Sequence, residues 1–179
     1  NPGNGSSTGR FQAGMHLRRN TRLNCYNSVV AGWPIGLILD SEKGNTQKAA
    51  TDGLLQLHRI VFAGTDLTGS DFNKVYKDEL YDYKTKTTDP SKKSFSSTFF
   101  LLPANGNKVV DQWVARSWQG IQSIIAASTS VGGALQGSFA ELQSNNWFDK
   151  SATFVGAFRD ASDDWTAGWA NFDPENTIY

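Results

Sequence analysis

His16 and His58 are the only imidazoles in this sequence, and Cys25 is its only thiol. A nucleophilic triad needs a histidine held between a hydroxyl and a carboxylate. Neither histidine stands in a local motif of that kind. A structural zinc site needs four Cys or His ligands, which one thiol and two distant imidazoles do not supply. Asp78 and Glu79 with Glu141 are carboxylates that a cleft would have to pair for glycoside cleavage. Sequence alone does not place them together, and exposed helix faces are the better account of them. Asp160, Asp163 and Asp164 resemble a calcium cluster, yet the glycine and ligand spacing of a calcium-binding loop are missing. Gly132-Gly133 lacks the strand and lysine that a phosphate-binding loop requires. The sequence therefore assigns no catalytic residue, no metal ligand and no cofactor. The expectation is a protein that is not an enzyme.

Charge is the stronger signal. The 179 residues are neutral overall, but not evenly so. Before Asp40 stand Arg10, Arg18, Arg19 and Arg22 and no acid; from Glu141 onward stand seven acids against Lys150 and Arg159. Arginines in such a cluster can contact phosphates or a neighbouring subunit. A lone cysteine excludes an internal disulfide framework. The chain begins at Asn1 rather than at a methionine, as a processed chain or a fragment would.

The elements that must position these groups read as mainly α. Residues 1–22 have the composition of a flexible basic arm. Residues 23–179 are expected as one globular domain of about five helices, with short extended segments near 23–40 and 95–102. Pro34 forbids a continuous helix in the first of these, and Pro103 closes the second. Ala50, Leu54, Leu57 and Val61 predict a helix over 46–62. Phe72, Val75, Tyr76, Leu80 and Tyr83 predict another over 71–83.

The longest periodic run is 109–142. Val110, Trp113, Val114, Trp118, Ile121, Ile124 and Ile125 recur at helical spacing. Gly132 and Gly133 interrupt it, so there either the helix breaks or two backbones meet closely. Phe154, Val155, Phe158, Trp165 and Trp169 continue helical spacing over 149–172. The tryptophans Trp113, Trp118, Trp147, Trp165 and Trp169 suit packing between the two last helices. Exposed, they would form a stacking surface for sugars, lipids or a partner subunit.

Residues 117–140 hold no charge across 24 positions. That length spans a bilayer, which needs about 20 apolar residues. Gln119, Gln122, Ser123, Ser128 and Gln136 make it too polar for a permanent span. Close packing through its small residues is the better expectation.

The leading expectation is a structural subunit of a self-assembling particle or filament, in a virion or outside the cell. Arg10, Arg18, Arg19 and Arg22 would contact nucleic acid or a neighbour. Trp113, Trp118, Gly132, Gly133, Trp165 and Trp169 would form the contact between copies. The alternatives are a secreted pore-forming protein that inserts 117–140 into a membrane, and a carbohydrate-binding domain.

Overall fold

The computed structural model describes residues 12–72, 77–111, 121–172 and 174–178, without the side chains of 121–124 and 127. Within them lie ten strands and three short α-helices. The strands are β1 (Ala13–Arg18), β2 (Asn24–Tyr26), β3 (Val29–Ala31), β4 (Ile35–Asp40), β5 (Gln56–His58), β6 (Val61–Ala63), β7 (Leu67–Ser70), β8 (Leu80–Asp82), β9 (Thr87–Asp89) and β10 (Lys108–Val110). The helices are α1 (Thr46–Thr51), α2 (Phe95–Phe100) and α3 (Ile121–Gly132). The mainly α expectation is thereby overturned: this is a mixed, strand-rich fold.

Pairing shows how the chain winds. One parallel sheet runs β1-β4-β7, a second pairs β2 with β5, and a third runs β10-β6-β3. Each turn of chain thus adds one strand to successive walls of a parallel β-coil. The first coil is β1-β2-β3 and the second is β4-β5-β6. The third starts at β7 and closes at β10, with the antiparallel hairpin β8-β9 and α2 inserted between.

Two corners recur from coil to coil. Between the second and third walls, Asn27, Arg59 and Gly106 occupy equivalent places in the register, and all have left-handed φ values of 48°, 53° and 61°. The Asn27 amide donates to the His58 carbonyl, and the Arg59 amide to that of Asn105. Between the third and first walls, Gly32 and Gly64 turn the chain with φ values of 70° and 56°. Their amides donate to Ala63 and Val110, each one coil further on.

The interior is filled by alternate residues of the first wall and by residues of the others. Leu37, Leu39, Leu55, Leu57, Ile60, Phe62 and Phe100 are buried together. The Phe62 and Phe100 rings stack at 4.1 Å, which adds ring attraction to their area burial. Helix α2 closes this layer beside β7. It can approach because Gly69 has no side chain: a Cβ there would lie 2.7 Å from the Ser97 amide nitrogen. Outside the third wall, α3 and the segment around Val155 cover Val61 and Ala63 with Val131 and Val155.

The departures from expectation have local causes. The predicted helix over 46–62 stops at Thr51, and 56–58 and 61–63 are strands. The second of these is buried on both faces, so its apolar residues do not alternate, and with Leu54 and Leu57 they imitate helical spacing. Of the predicted helix 71–83, residues 73–76 lie outside the described residues, and Leu80–Asp82 is strand. Residues 95–100, expected as extended, are helix because Ser94 caps them: its side chain accepts the Ser97 amide at 2.9 Å. Residues 23–40 hold β2, β3 and β4, extended as their sequence reads. The run 109–142 begins as strand β10, residues 112–120 lie outside the described residues, and among the described ones its helix is Ile121–Gly132.

No helix forms over 149–172. Asp149, Asp160 and Asp164 each accept both the amide and the hydroxyl of the residue two further on, Ser151, Ser162 and Thr166. These local bonds give the backbone an alternative to the helix ladder. They outweigh the aromatic spacing.

Candidate functional site

The first wall carries a charged cluster on the face away from the core. Met15, Leu17, Leu37 and Leu39 pack inward. Their neighbours His16, Arg18 and Asp40 therefore project to the other side. Asp40 is fully buried. Its Oδ2 lies 3.5 Å from His16 Nε2 and 3.4 Å from Arg18 Nε. None of these three atoms makes an aligned hydrogen bond among the described residues. Oδ1 accepts the Glu42 amide at 2.7 Å. Tyr83 lies above, its hydroxyl donating to the Phe72 carbonyl at 2.8 Å, and burial pushes that phenol well above its usual range. An Asp–His pair is half of an acid–base device. The hydroxyl that register places nearest on this wall, Ser70, donates to the Lys77 carbonyl. The cluster serves to balance the charge of a buried carboxylate.

A second cluster sits on the recurring corner. Arg59, held in its left-handed turn, reaches out to the segment after α3. Its Nε donates to the Ser138 carbonyl at 2.8 Å, and its Nη1 to Glu141 Oε1 at 2.8 Å. Nη2 grips the other carboxylate oxygen, giving a two-pronged pair. Asn27 Oδ1 accepts the Ser138 amide at 3.0 Å. The His58 ring stacks on Tyr26 at 5.3 Å, and Phe139 and Phe148 pack around it. The Arg59 bonds hold the Glu141 carboxyl down at about 2. Burial lowers the imidazole of His58, which lies 3.7 Å from Glu141.

This pair makes the strap over the corner sensitive to acid. Glu141 has a depressed folded value, so its stabilisation is complete above the ordinary 4.5 and is lost as pH falls toward 2. The side chain is 32 % exposed, so solvent screening leaves roughly 1 kcal/mol of the effect. Urea unfolding at pH 6 and pH 3 should show it. Glu141→Gln is expected to lose about 1 kcal/mol at pH 6 and roughly half of that or less at pH 3. Equal losses at both pH values would refute the assignment.

The remaining expected site residues are scattered. Arg10, Trp113 and Trp118 lie outside the described residues. Arg18 belongs to the Asp40 cluster, while Arg19 and Arg22 are exposed in the loop after β1. Gly132 ends α3 against the backbone of Val155, inside this fold, and Gly133 is exposed beside it. Trp165 and Trp169 are exposed, at 54 % and 69 %. Asp78 accepts from Ser94 and pairs with Lys93, so it and Glu141 serve separate places. Among the described residues no group of three His, Cys, Asp or Glu side chains is placed to hold a metal ion. No helix of the described residues is long and apolar enough to cross a membrane.

Sequence reasoning missed Asp40 and Asp71 as buried hubs and Arg59 as the corner anchor. One signal for the corner was present. Val29-Val30-Ala31-Gly32 recurs 32 positions later as Val61-Phe62-Ala63-Gly64, followed at the same distance by Ile35 and Leu67. Such self-similarity is the mark of a repeating coil.

The fold and its corners define a short parallel β-solenoid with a strap across one corner. No family model, curated protein or solved structure matches the chain.

Proposed function

We propose that the chain is a non-enzymatic structural subunit that builds a coat-like particle or extracellular filament from copies of itself. The observation that carries this reading is the first coil. Every residue of β4 and β6 is buried, whereas β1 and β3 are only half-buried throughout. Met15, Leu17, Leu23, Cys25 and Val30 lie on this end of the core as partly buried apolar groups. Among the described residues no strand pairs with the outer edges of β1, β2 or β3. An open edge above an incompletely covered apolar layer is a template for further strands. The two ends of a parallel coil differ, so stacking one on another is head-to-tail and propagates into rings or filaments.

Sedimentation velocity over a hundredfold concentration range tests the proposal, with electron microscopy of the same samples. The expected result is mass that rises with concentration and ends in regular assemblies. Parallel runs with added nucleic acid test Arg19 and Arg22 as phosphate contacts. A monomer at every concentration, with and without nucleic acid, would overturn the proposal.

A further inference from the structure

The exposed aromatic lobe at 157–172 has a surface that the fold itself does not use. Phe158, Trp165 and Trp169 form a series of rings with centroids 6.1 Å and 5.5 Å apart. The series runs outward, from 6 % exposure at Phe158 to 69 % at Trp169. The hydrogen-bond donors of the two indoles and of the hydroxyls beside them are already spent. Trp165 Nε1 donates to the Ala157 carbonyl at 2.8 Å, and Trp169 Nε1 to the Trp165 carbonyl at 3.0 Å. The Ser162 and Thr166 hydroxyls donate to Asp160 and Asp164.

Apart from the Arg159 guanidinium, which lies over the Phe154 ring, what the lobe turns outward is ring face and carboxylate oxygen. Both attract a group that brings positive charge and N–H donors. A neutral sugar fits less well, because its ring oxygens and hydroxyls also ask for donors, and those of the indoles and neighbouring hydroxyls are occupied. The complementary surface exists on this same chain. The residues before Asp40 carry only positive charge, while acids outnumber bases seven to two from Glu141 onward. Arg19 and Arg22 are exposed on the rim of the first coil. Neither makes an ion pair among the described residues, whereas Arg18 is committed to Asp40.

We infer that the tryptophan face of the lobe receives Arg19 and Arg22 of a second copy of this chain. The contact joins two different surfaces, so it is directional, as a head-to-tail assembly requires. This inference rests on the assembly reading and names the surfaces that carry it. It also explains why the aromatic groups are left in solvent in one copy: guanidinium groups lie flat on indole faces and cover them.

The test uses the full chain and sedimentation velocity at low and high salt. Trp165→Ala with Trp169→Ala is expected to weaken association about tenfold, from the loss of two cation–ring contacts. Arg19→Glu with Arg22→Glu should weaken it at least as much, as should Asp160→Lys with Asp163→Lys. All these positions except the half-buried Asp163 are exposed, and thermal unfolding of each variant checks that the coil is intact. Mixing the two charge-reversed variants should restore association, because each then presents the surface that the other lost. Failure of the mixture to associate overturns the inference, as does wild-type association by variants of either surface. If arginine variants lose association while tryptophan variants keep it, the arginines serve another ligand and the inference falls. A wild-type chain that never associates overturns the assembly reading and this inference together.

Discussion

Asp71→Ala should unfold at a urea midpoint far below that of the wild type, with a loss of about 3–4 kcal/mol. Asp71 is fully buried and gathers donors from three separate elements. Its Oδ2 accepts the amides of Phe95 and Tyr81 at 3.1 and 3.3 Å. Its Oδ1 accepts Gln47 Nε2 at 3.1 Å and the Ser96 hydroxyl and amide at 3.3 and 3.4 Å. The carboxylate thus ties α1, β8 and the start of α2 to the end of β7. Removing it strands several buried donors, and each costs about 1–3 kcal/mol before water enters the gap. Asp71→Asn keeps the volume but turns an NH2 group toward donors, so it should fall between the two. Burial raises the Asp71 carboxyl despite these bonds. A raised folded value means stabilisation that is full below the ordinary 3.8 and declines as pH rises through the folded value, opposite in sign to Glu141. A loss under 1 kcal/mol for the alanine variant would show that water replaces the carboxylate without strain.

Gly132→Ala is the second large effect. A Cβ at this position would stand 2.0 Å from the Val155 carbonyl oxygen and 3.1 Å from its carbon. Both are backbone atoms, so no side chain can swing aside. The strap must lift from α3, uncovering Val131 and Val155. The expected loss is about 2–3 kcal/mol, typical of an overfilled core. It should be local, with faster hydrogen exchange and proteolysis over 135–156 while β4 and β6 stay protected. Gly133→Ala is the control. Its Cβ would meet only the Thr129 and Ser130 carbonyls, at 3.3 and 3.6 Å, and it faces solvent. Similar protection loss in both variants would show that helix propensity, not close approach, sets the requirement at Gly132.

How far the sequence discloses this molecule depends on whether the deciding interaction is local. The turn at Pro34 and the extended residues around it could be read, because proline acts on its immediate neighbours. The double meaning of Gly132-Gly133 could be read too: the helix ends there, and a second backbone arrives. The coil itself was hidden by the burial of β4 and β6 on both faces. Without alternation, Leu54, Leu57 and Val61 fall at helical spacing by accident. The repeat of Val29–Gly32 at Val61–Gly64 would have corrected this, since a helix has no reason to recur at that distance. In the last segment the aspartates at 149, 160 and 164 held the true signal, and the tryptophans obscured it. The candidate surfaces followed the same division. The charge asymmetry is plain in the sequence. That Arg18 is taken by Asp40, leaving Arg19 and Arg22, follows from strand register, which no short stretch encodes.

The column formed by Asn27, Arg59 and Gly106 fixes where this architecture can change length. In the first wall, Ala13 partners Ile35 and Ile35 partners Leu67, spacings of 22 and 32 residues. In the third wall, Val29 partners Val61 and Val61 partners Lys108, spacings of 32 and 47 residues. The chain between β2 and β3 and between β5 and β6 is nevertheless the same two residues each time. The added length, α1 in one coil and the hairpin with α2 in the next, leaves after the first wall and returns before the third. The left-handed column acts as a ruler that keeps the rise of each coil constant. The opposite side is a graft site, where the same scaffold accepts new loops without losing step.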